Sequence, residues 1–357
     1  GFKLAVIMLP VLIFGQWLIM IINFNKNSNL FKQITELSKC LTSYQNICEL
    51  VENNDFSSLH LNNLKNKLSH SSQAFKELQA IASAIKQRNN LLASLLLNGL
   101  LLWDVNCRER YEMWVNKYGA QIDEWITVIG ELESLISLQV LLRTKPQSSF
   151  AVFSDELCLT FNDAYHPLID GKQVVANSFT MDKQVCVITG SNMSGKTTFL
   201  RTIGINLILA YAGGPVLAKS FKCSLMRIYT SMRLVDDLSG ISTFYAELLR
   251  IKEIVEANNK GERMIALIDE IFKGTNSKDR IYGATETVKQ LSSKNIFTFI
   301  TTHDFELCEL ENQIPCANYH FSEYYQDNKI RFDYLIKKGR CQSTNAKYLL
   351  QMVGITK

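Results

Sequence analysis

Gly190-Ser191-Asn192-Met193-Ser194-Gly195-Lys196-Thr197 constrains the fold of this chain more than any other segment. It fits G-x-x-x-x-G-K-[S/T], follows a β-branched run at residues 185–188, and precedes a helix-forming stretch at residues 198–212. A strand that turns through glycines into a helix start makes a phosphate cradle. The glycines let successive backbone N–H groups point inward, and the helix end adds positive potential. Lys196 is expected to reach the β- and γ-phosphates and Thr197 to offer its hydroxyl to Mg²⁺. Gly190, Ser191, Asn192, Met193, Ser194, Gly195 and Thr198 complete the nucleotide-binding loop. A chance glycine turn can carry the same letters, but the strand before and the helix after argue against it.

Two further apolar runs end in chemistry. Met264–Ile268 stops at Asp269 and Glu270, and residues 296–300 stop at Thr301, Thr302 and His303. An acid at such a strand end can hold Mg²⁺, and a second can orient and deprotonate an attacking water. Asp269 takes the first role here and Glu270 the second. His303 is placed to sense or stabilise the γ-phosphate. A solvated strand end would explain the acids alone, but not acids that follow a phosphate loop. His60, His70 and His320 lack such a context and read as structural. Buried strands that end in functional loops, alternating with helical stretches, predict an α/β sheet with its site at the strand ends.

The chain before this region reads differently. Residues 4–22 contain no charge, lie between Lys3 and Lys26, and include Trp17. Their number is close to the roughly 20 needed to cross a bilayer, so residues 1–24 are expected to form a transmembrane helix. No small-residue cleavage site follows, which disfavours a signal peptide. Residues 25–149 are expected to be a helical domain. Proline is absent from 25 to 145, and Phe75, Leu78, Ile81, Ala82 and Ile85 recur at helical spacing. The apolar run 91–103 is too short to span and reads as a buried core helix. A further helix is expected through Ile122, Trp125, Ile129, Leu132, Leu135 and Ile136. Lys145-Pro146-Gln147-Ser148-Ser149 marks the boundary to residues 150–357, the nucleotide domain.

The net charge of +4 permits a nucleic-acid partner without arguing for one. Nine cysteines without a C-x-x-C pair exclude a zinc ribbon and fit an intracellular chain. The start at Gly1 is consistent with a piece of a longer product. With an anchor ahead of a nucleotide domain, a cytoplasm-facing, membrane-anchored protein is expected.

The flanks of these motifs narrow the class. Residues 189–201 resemble the phosphate loop of the MutS family of DNA-mismatch-repair ATPases, including Asn192-Met193. Asp236-Asp237-Leu238 followed by Ser242-Thr243-Phe244-Tyr245-Ala246-Glu247 is similar to that family's signature segment. Residues 269–276 look like its extended acidic motif, and residues 302–307 like its histidine switch. His166-Pro167 and Ser343-Thr344-Asn345-Ala346 also match in family order.

The resemblance implies an ABC-like α/β P-loop ATPase domain behind all-α core and lever helices. It also implies a homodimer in which Ser242 contacts the γ-phosphate bound by the opposite subunit, ATP and Mg²⁺ as cofactors, and DNA, mismatched or branched, as partner. An ordinary helix N-cap would account for Ser242 as well. Ser191 and Ser194 stand where the family has Pro and Gly. Val174 stands where it often stacks an aromatic on adenine, which puts base selectivity in question. Phe75-Lys76-Glu77 and Phe321-Ser322-Glu323 spell the mismatch-reading F-x-E, but outside its domain. The chain therefore resembles a short MutS-like member without the mismatch-recognition domain.

Three other readings compete. An ABC transporter would explain a membrane segment and the Leu238-Ser239-Gly240 echo of L-S-G-G-Q. It does not explain Ile271 after the acids, or the lack of Gln between 185 and 289. A scaffold with a relic site would be expected to have lost Lys196, Asp269, Glu270 or His303. A membrane-anchored switch that does not act on DNA differs from the main reading only in its partner.

Overall fold

The computed structural model describes residues 2–89, 91–145, 147–169, 174–232, 243–326 and 329–341. It comprises two compact units, Gly1–Ser137 and Leu138–Lys357.

The first unit is helical: α1 (Phe2–Glu52), α2 (Leu59–Lys67), α3 (Ser71–Lys86), α4 (Leu91–Leu101), α5 (Trp103–Tyr118) and α6 (Ile122–Thr144), whose last turns belong to the second unit. The predicted 3.6-residue spacing builds its core. Phe75, Leu78, Ile81, Ala82 and Ile85 of α3 are buried with Phe31, Ile34, Leu41, Cys48 and Val51 of α1. Rings connect the helices in a chain, Tyr44 to Phe75 to Trp125 to Tyr118 to Trp114, with centroids about 6 Å apart at each step. Trp114 and Trp103 donate their indole N–H groups to the Ala74 and Ala84 carbonyls, at 2.8 and 3.0 Å. Among the described residues, the stretch Trp103–Thr144 is long and apolar enough to cross a membrane. Its Trp125, Val128, Ile129 and Leu132 are buried in this helical core, while Ile126, Leu135 and Ile136 are exposed.

Residues 4–22 and the helical residues after them form one continuous helix, α1. The reading of residues 91–103 as a buried core helix is overturned. In α4, Leu92, Leu96, Leu100 and Leu101 are exposed, and among its described side chains only Asn98 and Gly99 are buried. An apolar run has no polar face to show which side turns inward, and here a polar residue does.

The second unit is sheet-rich. A six-stranded sheet runs in the order β14 (Lys337–Lys338), β11 (Cys316–His320), β5 (Val185–Thr189), β10 (Ile296–Thr301), β9 (Met264–Ile268) and β8 (Arg227–Ser231). All are parallel except β14. A smaller sheet orders β2 (Val152–Ser154), β7 (Ser220–Ser224), β3 (Leu159–Ala164) and β4 (Asn177–Thr180). Two strand pairs complete it, β1 (Ser149–Phe150) with β6 (Pro215–Val216) and β12 (Glu323–Gln326) with β13 (Lys329–Phe332). The helices are α7 (Lys196–Tyr211), α8 (Thr243–Asn259) and α9 (Ser277–Gln290).

Strands β5, β9 and β10 are buried along their whole length, as unbroken apolar runs in a parallel sheet require. β10 lies between the other two, with Thr301 opposite Ile188 and Ile300 opposite Ile268. That register brings residues 189–190, 269–270 and 302–303 to one edge of the sheet.

Candidate functional site

β5 delivers the chain into the glycine loop, and α7 begins at Lys196. Gly190 has φ 145°, and a Cβ there would stand 2.6 Å from the Phe321 carbonyl oxygen. Only glycine lets the loop turn this close to the end of β11. Ser191 donates its hydroxyl to Glu323 Oε2 at 2.7 Å, tying the loop to β12. The Lys196 side chain is buried, and its Nζ donates to the Gly190 and Ser191 carbonyls at 2.8 and 2.9 Å. Burial pulls the Lys196 pKa down, while the nearby Glu270 and Asp269 carboxylates act in the opposite direction.

Asp269 is buried at the end of β9. Its carboxylate accepts from the Thr197 hydroxyl at 2.9 and 3.0 Å and from the Thr301 hydroxyl at 2.6 Å. Thr301 in turn accepts from the Glu270 backbone N–H at 2.9 Å. One hydroxyl thus locks the ends of β9 and β10 together. The oxygen-only pair Thr197 and Asp269 suits a hard divalent cation such as Mg²⁺, which takes one or two carboxylates and leaves its other positions to water and phosphate.

Glu270 has φ 53°, in the left-handed region that a non-glycine residue enters at a cost of about 1–3 kcal/mol. The conformation aims its carboxylate across the strand ends. Oε1 lies 3.0 Å from His303 Nε2, and Oε2 accepts from Lys273 Nζ at 2.6 Å. The same His303 nitrogen lies 3.1 Å from Asn192 Oδ1. Asn192, His303, Glu270 and Lys273 therefore form one connected polar group above the sheet edge. The segment after Glu270 is held by half-buried Glu247, which accepts the Phe272 N–H at 2.6 Å. Burial pushes the Glu247 carboxyl up, and that N–H partly offsets it.

The turn that carries His303 is pinned by its neighbour. Arg280 donates through Nε and Nη2 to the two oxygens of Asp304, both at 2.7 Å. A paired contact of this kind fixes orientation as well as distance.

A cleft of about 450 Å³ is lined by Asn192, Lys196, Thr197, Asp269, Glu270 and Tyr334. A second cavity of about 460 Å³ shares Gly195, Thr198 and Tyr334 with it and extends past His166, Val174 and Phe321. The His166 pKa is lowered, first by burial and then by Arg201, which favours the neutral ring.

Of the residues singled out in the sequence, Asn192, Lys196, Thr197, Asp269, Glu270 and His303 come together, and Ser191, Ser194 and Thr198 lie in or beside the same loop. Met193 is largely exposed, with φ 67°. Ser242, Asp236-Asp237-Leu238 and Ser343-Thr344-Asn345-Ala346 lie outside the described residues. His60 bonds to Glu131 and His320 to the Gly339 carbonyl, which are structural roles.

Four residues were missed. Thr301 could have been suspected, as a hydroxyl at the end of a buried strand. Lys273 lies within the motif at residues 269–276, though its role there was not read, and Arg280 and Tyr334 carry no such signal. Tyr334 sits far along the chain from the loop it faces. Asn177 holds it there, donating to the Tyr334 carbonyl at 2.9 Å and accepting the Ile336 N–H at 2.8 Å.

Comparison with known proteins bears on the same region. Residues 186–356 match the family model described as MutS domain V. The DNA mismatch repair protein MutS of Aquifex pyrophilus is 32% identical over 237 residues, covering 64% of this chain and 27% of that protein. The DNA mismatch repair protein MutS of Leptospira interrogans serogroup Icterohaemorrhagiae serovar copenhageni (strain Fiocruz L1-130) is 30% identical over 255 residues, covering 68% of this chain and 30% of that protein. The chain thus spans less than a third of the length of these relatives.

Proposed function

This chain belongs to the MutS family, and on that premise we propose that it binds ATP with Mg²⁺ and hydrolyses it as a dimer, coupling nucleotide state to the binding of mismatched or branched DNA. The observation that carries the reading is the convergence of Lys196, Thr197, Asp269 and Glu270 on one cleft, with His303 from the neighbouring strand end bonded to Glu270. In this mechanism the loop N–H groups and the α7 N-terminus bind the phosphates, and Lys196 turns its ammonium from the loop carbonyls to the β- and γ-phosphate oxygens. Thr197 and Asp269 would hold Mg²⁺, which when bound neutralises charge on the phosphates. Glu270 takes the proton of the attacking water, and His303 and Asn192 orient the carboxylate and the γ-phosphate. Ser242 acts across the dimer. The relatives named above are DNA mismatch repair proteins and lend no support to the transporter alternative.

The cavity beyond Gly195 fits the base, with Tyr334 as its aromatic wall in place of the position held by Val174. Stacking of a base on an aromatic ring is worth about 1–3 kcal/mol. Tyr334→Ala is therefore expected to weaken ATP binding by about tenfold while Tyr334→Phe binds normally, measured by titration calorimetry. Equal affinity in all three would remove Tyr334 from the base site.

The DNA arm is tested by ATP turnover with duplex, mismatched and branched DNA at two salt concentrations. Stimulation of several-fold by at least one form is expected. Turnover that ignores every form, with no binding to any, would leave an ATPase that does not act on DNA. A second element of the proposal is that the N-terminal half of α1 anchors the protein in a membrane with the nucleotide domain facing the cytoplasm. It is favoured by the exposed apolar side chains of that half, among them Val11, Phe14, Leu18, Ile21 and Ile22.

A further inference from the structure

The helix α4 has its faces reversed relative to a helix that packs in water. Its polar residue Asn98 is turned inward and only 1% exposed, whereas Leu96 and Leu100 are 64% and 60% exposed. The inward placement is satisfied chemically. Asn98 Oδ1 accepts the Asp104 N–H at 2.9 Å, and its amide donates to the Ser94 carbonyl at 3.1 Å. Gly99 lies beside it, close enough to α1 that a Cβ would meet Trp17 Nε1 at 2.7 Å, and that indole N–H donates to the Leu95 carbonyl at 3.2 Å. α4 is therefore seated on the apolar half of α1 by its polar and small residues, with Leu92, Leu96, Leu100 and Leu101 pointing away. α1 repeats the reversal, with Phe14 69% and Ile21 65% exposed and Asn27 1% exposed.

A soluble amphipathic helix does the opposite, and an apolar surface of this kind needs a cover. The geometry points to a lipid bilayer as that cover: α4 and the N-terminal half of α1 together form one lipid-facing surface, with α4 immersed in the leaflet on the side of the helical unit. This extends the anchor proposed for α1, and three observations favour lipid over protein. Eleven residues of helix measure about 16 Å, roughly half of a 30 Å hydrocarbon core, so α4 reaches one leaflet's depth beside a helix whose uncharged residues 4–22 match the full thickness. No acid occurs before Glu36 or between Glu77 and Asp104. Lys3 and Lys26 flank the first apolar run, and exposed Lys32 and Lys86 lie on α1 and α3 beyond the apolar segments, a pattern complementary to anionic headgroups.

The test uses the full chain with exposed Cys40 replaced by serine, carrying Phe14→Cys, Leu96→Cys, Leu100→Cys or the distant control Leu59→Cys one at a time. Each is labelled with a membrane-impermeant maleimide, with and without vesicles of phosphatidylcholine containing a minority of phosphatidylglycerol. Labelling at 14, 96 and 100 is expected to slow by about tenfold or more with vesicles, since hydrocarbon excludes the reagent. Labelling at 59 should not change. Protection at 14 with full reactivity at 96 and 100 would overturn the role of α4 and leave the single anchor standing. Full reactivity at all three would remove both. Protection at 96 and 100 that rises with protein concentration in the absence of vesicles would replace lipid with a second copy of the chain.

Discussion

Glu270→Ala should bind ATP about as well as the unaltered chain and hydrolyse it about 10²–10⁴-fold more slowly in a single turnover, the usual contribution of a positioned general base. The two halves of this expectation have separate physical causes. Binding rests on the loop, Lys196 and the Thr197–Asp269 pair, whose hydrogen bonds run to the loop carbonyls and to Asp269. Removing a negative charge beside Lys273 and His303 makes the cleft more favourable to a triphosphate. Hydrolysis loses the acceptor for the water's proton, and neither His303 nor Asn192 replaces a carboxylate in that role. The variant should also accumulate as an ATP-loaded dimer, visible by sedimentation velocity, because the step that resets it is blocked. Glu270→Gln, which keeps the shape, should behave alike. Turnover at the unaltered rate in both would remove Glu270 from catalysis and leave the nucleotide site intact.

Lys196→Ala should fail one step earlier, with nucleotide affinity reduced by about a hundredfold or more. Truncating one partner of a buried, charge-assisted hydrogen bond costs about 2–5 kcal/mol. The lysine is buried under the loop, and its ammonium is the nearest positive charge that the loop itself supplies to a phosphate. The substitution also leaves the Gly190 and Ser191 carbonyls without their donor, so a thermal melt must first establish that the variant is folded. A folded Lys196→Ala chain that binds ATP with unchanged affinity in calorimetry would be incompatible with the phosphate-loop assignment.

The two variants divide binding from chemistry, and the reading of the site depends on that division. It was legible in the sequence at Lys196 from the spacing of the glycine loop, and at Asp269 and Glu270 because they stand where an apolar run stops. A strand buried on both faces admits no charged residue until it leaves the sheet, so the end of the run marks the edge where function can sit. His303 was legible for the same reason. What the pattern could not convey was the connection among these groups. The contacts of Thr301 with Asp269 and with the Glu270 backbone arise from β10 lying between β5 and β9, a strand order that no local spacing encodes. The Arg280–Asp304 pair joins α9 to the turn after β10 and was invisible for the same reason.

α4 shows the limit from the other side. Its composition was read correctly as apolar and its burial wrongly as complete. Thirteen nearly uniform residues have no periodicity to fix a direction, and only the contacts of Asn98 with Asp104 and of Gly99 with Trp17 reveal which side faces inward.

The sequence by itself determined the class of chemistry, since a phosphate loop and two strand-end motifs are local arrangements of residues with local physical reasons. Tertiary structure alone decided that Tyr334 faces the glycine loop, that Thr301 ties the acids to the neighbouring strand, and that the leucines of α4 point outward. Each of these depends on which segments pack side by side, a choice made by the whole core and not by neighbours in the chain.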